Sequence, residues 1–396
     1  MSSDSQPRLR AGEAIPYPVD LVRLGPHAGA HRVAIRLAIS ALLPVIVLCA
    51  MGHQDWSAYA LLTATVSIYG RRRPPGVRLR IQCQVAVAQV LLIVAGAALA
   101  TASVAPWVLV VCTAVIAAAA AAVADILQWN PPGALFFVFA LAVCASLPDG
   151  TRSSVLIALA VSAASAATVL AVTALDSPIT HPSDTNTPVP ARLRNPVIAV
   201  QALACLLAAL AAGLTAAAFG LDRPYWAMVS AIAPIVGATT YAQISRAGHR
   251  FVGTIAGIAP AGLLFQIRMS QTVLLVVLVA LMACTEMLAA RNYAGALLFL
   301  TPMTIGMALV GEGAPLPTLL IDRGAETAIG VAAAVIAILA THPVRHPPTA
   351  AGSAEHPEPA PASHPPASAV SRPPAVHGLS DPRPFRGPGA GRDPGR

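Results

Sequence analysis

The fold of this chain is decided by the stretch Trp129-Asn130-Pro131-Pro132-Gly133-Ala134-Leu135-Phe136-Phe137, which returns as Arg291-Asn292-Tyr293-Ala294-Gly295-Ala296-Leu297-Leu298-Phe299, 162 residues later. Two further pairs, Trp56 with Trp226 and Arg80 with Arg250, recur at a spacing of 170, and each residue marks the start of an apolar run. These spacings predict one hydrophobic unit duplicated in parallel. That architecture is typical of proteins that surround a path through a bilayer.

The composition predicts an integral membrane protein. Apolar residues make up 56% of the 396 residues, charged residues make up 11%, and the mean hydropathy is +0.69. A soluble domain carries about 25% charged residues. The net charge is +8, but all 25 basic residues are arginines placed around apolar runs, so no nucleic-acid partner is expected. The absence of lysine excludes a Walker A phosphate loop, which requires one.

Apolar runs of about 17–25 residues, the length that crosses a bilayer, recur along the chain. The first unit, 32–175, has them at 33–51, 56–70, 83–103, 106–126, 133–148 and 153–175. The second unit, 196–342, has them at 197–219, 225–241, 250–267, 271–290, 294–310 and 322–341. The runs 56–70 and 133–148 are short, and are expected to be re-entrant or tilted, which leaves ten or twelve spans open. The predicted fold class is an all-α membrane protein built as a pseudo-dimer of two parallel six-helix repeats.

The arginines predict the orientation in the membrane. With a cytoplasmic N-terminus, 21 arginines fall inside and four fall outside, namely Arg152, Arg223, Arg268 and Arg323. This bias obeys the positive-inside rule and predicts a multi-pass protein of the cytoplasmic membrane with both termini inside. The segments 1–31, 176–195 and 343–396 are then cytoplasmic. The second is a polar, Pro-rich linker and the third a Pro-rich tail that is expected to be disordered. No cleavable signal peptide is recognised, so the first span is expected to direct insertion.

No catalytic, metal or cofactor site is expected. The six cysteines lie in or beside apolar runs without a CxxC pair, which favours small buried side chains over disulfide partners or metal ligands. They are Cys49, Cys83, Cys112, Cys144, Cys205 and Cys284. No HExxH motif, Asp-rich metal motif or Ser/His pair at matched depth occurs, and His53 has no obvious partner. An enzyme is therefore not expected.

The order of an apolar run, a tryptophan, a second run, an arginine-rich loop and Arg-x-x-Gly-Thr-x-x-Gly resembles the fusaric acid resistance-like family. The motif here is Arg250-Phe251-Val252-Gly253-Thr254-Ile255-Ala256-Gly257, whereas the first unit reads Arg80-Ile81-Gln82-Cys83-Gln84 and lacks the Gly-Thr pair. The resemblance covers about 32–342. The family includes bacterial aromatic acid exporters and is distantly related to plant malate channels. The resemblance therefore implies export of small organic acids, aromatic acids among them.

Two acidic residues lie at matching places near the ends of the fourth and tenth runs. Asp125 and Glu286 precede Asn130 and Asn292 by five and six residues. A carboxylate at the centre of a membrane helix costs about 2.5–3.5 kcal/mol and less near an end. One interpretation is a protonatable group that couples proton entry to substrate exit. The alternative is solvation at a helix end or pairing with a loop arginine.

The other polar candidates have two interpretations each. Asn130 and Asn292 either line the path or cap the following helix. Arg80 and Arg250 either present a planar fork to a carboxylate at the cytoplasmic entrance or bind lipid phosphate. Arg36 is similar but has no partner in the second unit.

Trp56 and Trp226 are interpreted as interfacial anchors, with aromatic stacking as the alternative. Gly253 and Gly257 are expected to form a close helix contact, with Thr254 packed between them or lining the pore.

The combined hypothesis is an inner-membrane exporter of small organic acids that is driven by protons. The expected partners are the organic acid and membrane lipids, and a homo-oligomer is left open. A passive organic-anion channel and a membrane subunit of a multi-component efflux assembly are the alternatives.

Overall fold

Helices form along the apolar runs because a helix satisfies its backbone N–H and C=O groups internally where no water is available. The computed structural model describes residues 24–26, 29–71, 73–148, 151–176, 196–237, 239–312 and 314–345. Within these ranges it contains twelve α-helices and no β-strand. They are α1 Ala30–Ala50, α2 Ser57–Ala64, α3 Pro75–Thr101, α4 Pro106–Ile126, α5 Leu135–Ala145, α6 Arg152–Asp176, α7 Pro196–Ala218, α8 Pro224–Ile235, α9 Thr240–Leu264, α10 Gln271–Ala289, α11 Tyr293–Glu312 and α12 Leu316–Arg345.

Eight of these helices are long and apolar enough to cross a membrane, namely α1, α3, α4, α6, α7, α10, α11 and α12. Of the other four, α2, α5 and α8 have 8 to 12 residues. At 1.5 Å per residue they reach at most about 18 Å, shorter than the hydrocarbon core. The fourth, α9, is long but contains Arg246, His249 and Arg250. The all-helical prediction is therefore confirmed, with eight candidate spans.

Several helices begin before the apolar runs that predicted them. Helix α3 starts at Pro75, α9 at Thr240 and α12 at Leu316, so Arg80, Arg250 and Arg323 lie within helices. The expectation that Arg80 and Arg250 open their segments is therefore wrong for the helices, whereas the placement of Arg323 on the outer side stays a prediction. A polar residue can continue a helix where a neighbouring helix shields it from lipid, and hydropathy along the chain does not record such neighbours.

The helices pair in the same way in the two halves. In the first half, α3 packs on α5 and α6, and α6 also contacts α1 and α2. In the second half, α9 packs on α11 and α12, and α12 also contacts α7 and α8. Between the halves, α1 contacts α10 and α4 contacts α7, so the first helix of each half meets the fourth helix of the other. Helices α5 and α8 also meet in the middle.

Equivalent hydrogen bonds give the register between the halves. Gln82 Nε2 donates to the carbonyls of Ser67 and Tyr69 at the end of α2. Gln243 Nε2 donates to the carbonyls of Ile235 and Gly237 at the end of α8. Positions 82 and 243 are 161 residues apart, whereas 67 and 235 are 168 apart.

The expected spacing of 170 is therefore wrong for both tryptophans and both arginines. In the observed register, Arg250 corresponds to Gln89, and Trp226 corresponds to Ala58. The acidic pair agrees with the new register, since 125 and 286 differ by 161.

Small residues bring α9 and α11 into backbone contact. A Cβ atom at Gly253 would lie 2.6 Å from the Ala294 carbonyl oxygen, and one at Gly257 would lie 2.8 Å from that of Leu297. This is the packing role expected of the two glycines. Gly96 makes the corresponding contact in the first half, where a Cβ would meet Leu141 and Cys144 of α5.

Three predicted segments lie almost entirely outside the described residues. Of the N-terminal segment 1–31, Gly25 is placed against the α10–α11 turn, its N–H donating to the Arg291 carbonyl at 2.8 Å. The linker 176–195 contributes only Asp176, the last residue of α6. The tail 343–396 contributes only the end of α12, through Arg345.

Candidate functional site

A cavity of about 430 Å³ lies where the short helices of the two halves meet. The first half contributes α2, the Asn130–Gly133 loop and α5, and the second half contributes α8, α10 and α11. Its body is apolar and aromatic. The large side chains around it are Leu37, Leu61, Leu62, Phe136, Phe139, Tyr225, Trp226, Met282 and Met303. A mainly apolar cavity with a few polar groups is the usual form of a small-molecule site.

An ion pair between the halves borders the cavity. Arg71, just after α2, donates from Nη1 to Glu286 Oε1 of α10 at 2.8 Å. The carboxylate side chain is 7% exposed and the arginine 20% exposed. Both residues line the cavity together with Tyr69 and Asn130. Tyr69 itself is only 1% exposed. A partly buried pair of this kind is by itself weak evidence for stability.

Helices α9 and α11 contribute a second group of polar residues, which contains Arg246, Arg250 and Tyr293. Arg246 lines the cavity and stacks its guanidinium 4.6 Å from the Tyr293 ring centre. Arg250 is fully buried and donates to the hydroxyl oxygens of Tyr293, at 3.1 Å, and Ser230, at 3.3 Å. Its hydrogen-bond partners are therefore neutral hydroxyls, which leave its positive charge uncompensated.

Trp226 also contacts a group of buried charged residues, which are Arg223 beside α8 and Asp322, Arg323 and Glu326 of α12. The guanidinium carbon of Arg323 is 4.9 Å from the Trp226 ring centre, and that of Arg223 is 5.6 Å away. Arg223 Nη1 pairs with Asp322 at 3.2 Å, and its backbone N–H donates to Glu326 Oε1 at 3.2 Å. Both Arg323 and Glu326 are 0% exposed. Within the described part of the chain, no nitrogen of Arg323 has a hydrogen-bond acceptor.

The first half has a charged cluster elsewhere, at the ends of α1 and α6. Arg36 donates to the Ser67 carbonyl, at 2.9 Å from Nη2, and to Asp176 at 3.1 Å. Arg78 approaches the same carboxylate at 3.7 Å. This cluster joins α1, α3 and α6 to the end of α2, which fixes the backbone immediately before Arg71.

The structure brings three of the predicted candidates to the cavity, namely Glu286, Asn130 and Trp226. Asp125 is half-buried on α4 and Arg80 is exposed on α3, and neither lines the cavity. Thr254 is fully buried beside the α9–α11 contact, also away from the cavity wall.

The two asparagines differ. Asn292 caps α11, because its Oδ1 accepts the Gly295 N–H at 2.6 Å. Asn130 does not cap α5, whose N-cap is Ala134 without a side-chain hydrogen bond. Asn130 lies instead on the cavity wall. The reason is the Pro131–Ala134 stretch, which separates it from the helix.

The tryptophans also differ. Trp226 is 1% exposed, so it cannot contact lipid headgroups, and its interpretation as an interfacial anchor is wrong. It lies in the register position of Ala58, where its ring forms part of the cavity wall. Trp56 is half-buried and stacks on His53 with ring centres 3.8 Å apart. Its anchoring role stays a prediction.

Sequence reasoning did not single out Arg71, Arg323 and Glu326. Arg71 was one of several loop arginines, and nothing along the chain distinguishes it from Arg73. Arg323 and Glu326 were recoverable, because two opposite charges three residues apart beside an apolar run point to a shielded helix face. Within the described ranges, no group of three or more His, Cys, Asp or Glu residues is arranged to hold a metal.

Residues 198–337 match the family model described as fusaric acid resistance protein-like. A Bacillus subtilis (strain 168) protein described as "uncharacterized membrane protein YvaC" is 34% identical over 150 residues, which are 37% of this chain and 23% of that protein. The match thus spans less than a quarter of the relative's length. No solved structure matches the chain. The matched region covers most of helices α7 to α12, and together with the eight apolar helices it supports a multi-pass membrane protein that is similar, over residues 198–337, to fusaric acid resistance proteins.

Proposed function

We propose that the protein is an inner-membrane exporter of small organic acids, aromatic acids among them, that exchanges its substrate for protons. The path runs between two six-helix units inserted in the same orientation, with both termini cytoplasmic. The paired contacts α1–α10 and α4–α7 support this pseudo-dimer. In it, the short helices α2, α5 and α8 and the polar helix α9 complete the twelve segments around the cavity.

The observation that carries the proposal is the Arg71–Glu286 ion pair between the halves. Arg71, Arg246, Asn130 and Tyr293 place polar groups on the wall of a mainly apolar cavity. That arrangement suits a molecule with an apolar ring and one carboxylate, because the ring fills the cavity and the carboxylate accepts from a guanidinium fork.

The proposed cycle uses Glu286 as a switch. A proton that reaches Glu286 from the outer side neutralises the carboxylate, which releases Arg71 and opens the cytoplasmic mouth. An organic anion then enters and pairs with Arg246. Loss of the proton to the cytoplasm re-forms the Arg71–Glu286 pair behind the anion, which leaves outward. Each cycle thus moves one proton in and one anion out.

Proteoliposomes test this cycle. An imposed pH gradient should drive an aromatic acid such as benzoate through the wild type. Glu286→Gln, which cannot ionise, should lose at least about 90% of the gradient-dependent flux, since the switch is fixed in one state. Asp125→Asn is the matched control, because it makes the same chemical change at the corresponding position away from the cavity, and it should transport normally.

The other outcomes select among the alternatives. Flux that ignores the proton gradient in the wild type would favour a passive anion channel. Flux that appears only after a separate envelope protein is added would favour a subunit of an efflux assembly. Unchanged coupled transport by Glu286→Gln would remove this residue from the mechanism. Labelling that placed the loop around Arg73 on the outer surface would overturn the orientation.

A further inference from the structure

Arg323 of α12 is a fully buried cation for which the described residues supply no hydrogen-bond acceptor. Its side chain is 0% exposed, and none of its three nitrogens meets an acceptor within the described ranges. A guanidinium cannot lose its proton in a protein. Burying such a charge without an acceptor is costly, so an acceptor other than the described residues is needed.

The surrounding charges favour an anion over water as that acceptor. Arg323 lies within electrostatic range of Arg250 and Glu326. Arg223 is already paired with Asp322, and Arg250 is bonded to neutral hydroxyls. Counting these five side chains, three positive charges face two negative ones. One negative charge from a ligand would balance the group, whereas water would leave the excess in place.

The cavity lies next to this group. Tyr225, Trp226 and Tyr293 all line the cavity. Arg323 stacks on the Trp226 ring and is within electrostatic range of both tyrosines. A molecule in the cavity is thus separated from the guanidinium by one aromatic layer. A carboxylate that passes between Trp226 and Tyr293 would reach Arg323 and Arg250, while its apolar body stayed in the cavity.

We infer that Arg323 and Arg250 form a second, inner anion subsite between α8, α9 and α12, which takes the carboxylate of a monocarboxylic acid after it leaves the Arg71–Arg246 side of the cavity. The inference rests on the proposed export function for the identity of the carboxylate. The same chemistry suits an inorganic anion such as chloride. Trp226 forms the wall between the two subsites, and its stacking on two guanidiniums holds it in that position.

Binding to the full-length protein in lipid nanodiscs tests the subsite without any transport. In a buffer whose anion is a bulky sulfonate, benzoate should quench tryptophan fluorescence and raise the unfolding temperature, because a ligand that binds only the folded state stabilises it. Benzamide has the same shape without the charge and should do neither. A Trp226→Phe variant should lose the fluorescence change and keep the rise in unfolding temperature.

Arg323→Gln should weaken benzoate binding at least about tenfold, the loss expected when a charged hydrogen-bond donor is removed. Arg80→Gln is the matched control, since it removes the same charge from an exposed position, and its affinity should equal that of the wild type. Arg323→Lys keeps the charge without the fork. If Arg323→Gln does not fold, Arg323→Lys is compared with the wild type instead. It should bind benzoate more weakly than the wild type.

The outcomes separate the subsite from the exporter. A chloride response that competes with benzoate supports the subsite and assigns it to an inorganic anion. Equal affinity in the wild type, Arg323→Gln and Arg323→Lys overturns the subsite, as does a wild type that responds equally to benzoate and benzamide. A protein that binds benzoate through Arg323 yet transports none retains the subsite and loses the proposed function. Coupled transport with no effect of Arg323 substitution retains the exporter alone.

Discussion

The sixth and the twelfth helices occupy equivalent places in the two halves, yet one presents hydroxyls and the other presents charges. In a register of 161 residues, Ser162 of α6 corresponds to Arg323 of α12, and Ser165 corresponds to Glu326. All four side chains are buried. Ser162 donates to a carbonyl of its own helix, that of Ala158, so it needs nothing from a neighbour. Arg323 has no such partner in the described chain.

The same contrast recurs on the third and ninth helices. Gln89 donates to the backbone carbonyl of Leu62, whereas Arg250 donates to the side-chain hydroxyl of Ser230 at the corresponding position. At these positions on α3 and α6, the first half has neutral side chains that donate to backbone carbonyls. At the corresponding positions the second half has Arg250, bonded to side-chain hydroxyls, and Arg323, which is the basis of the anion subsite inferred above. If the inferred subsite is correct, one half supports the fold and the other binds the anion, because buried charges cost stability and are retained where they have a function.

The largest expected effect concerns the contact between α12 and α8. A Cβ at Gly330 would collide with the Ala227 carbonyl oxygen and approach Ser230 Cβ to 2.6 Å. Gly330→Val should therefore force the two helices apart, at about 3 kcal/mol or more, and much of the protein should aggregate on extraction. Fluorescence-detected size exclusion measures this loss.

Val169 is the corresponding residue of α6 and provides the control for Gly330. Val169→Ala removes methyl groups without moving backbones, so this variant should stay monodisperse with a lower unfolding temperature. If both variants aggregated to the same extent, α6 and α12 would be equally closely packed. That result would contradict the difference between the two halves described above.

The next effect is a gain in stability. The double variant Arg323→Ser with Glu326→Ser gives α12 the hydroxyls of α6 and removes two buried charges together. Replacing a buried charge group with neutral residues of similar volume often stabilises by about 1–4 kcal/mol, and the smaller serines lose part of that gain by leaving a cavity, so the unfolding temperature in detergent should rise by less. A fall would show that the charges stabilise the second half. Glu326→Ser alone is the control, and it should be less stable than the double variant.

A smaller loss is expected from Arg250→Gln, which gives α9 the side chain that α3 carries. The Tyr293 and Ser230 hydroxyls lose a charged donor, at a cost of about 1–3 kcal/mol. Denaturant or thermal unfolding measures the change. Gln89→Arg makes the reverse substitution, and it should be at least as costly because Leu62 and Phe136 offer carbonyls and no anion. A neutral result for both would mean that the positions are interchangeable.

The smallest effect is expected at Arg80. Its side chain is exposed on α3, so Arg80→Gln should change stability by less than about 0.5 kcal/mol. The measurement is the unfolding temperature beside that of Arg250→Gln. A loss as large as that of Arg250→Gln would restore the expectation that the two arginines are equivalent.

Sequence reasoning reached the helices more readily than the site. Apolar runs located all twelve segments, and Gly253 with Gly257 pointed to the α9–α11 contact, because both features are properties of one helix and its neighbour. The spacing of 170 was wrong because turns of different length separate the helices in the two halves. Identical residues such as Trp56 and Trp226 therefore occupy non-equivalent positions. Glu286 was singled out as an acid near a helix end, but its partner Arg71 is 215 residues away.

The sequence by itself determined that this chain is an all-helical, multi-pass membrane protein, since the bilayer imposes hydropathy and length on each spanning segment separately. The tertiary structure alone decided which charges are buried together and which residues surround the cavity. The physical reason is that the free energy of a charge depends on its neighbours in space. Whether Arg323 or Arg80 is paired, shielded or exposed is therefore settled only when the helices pack.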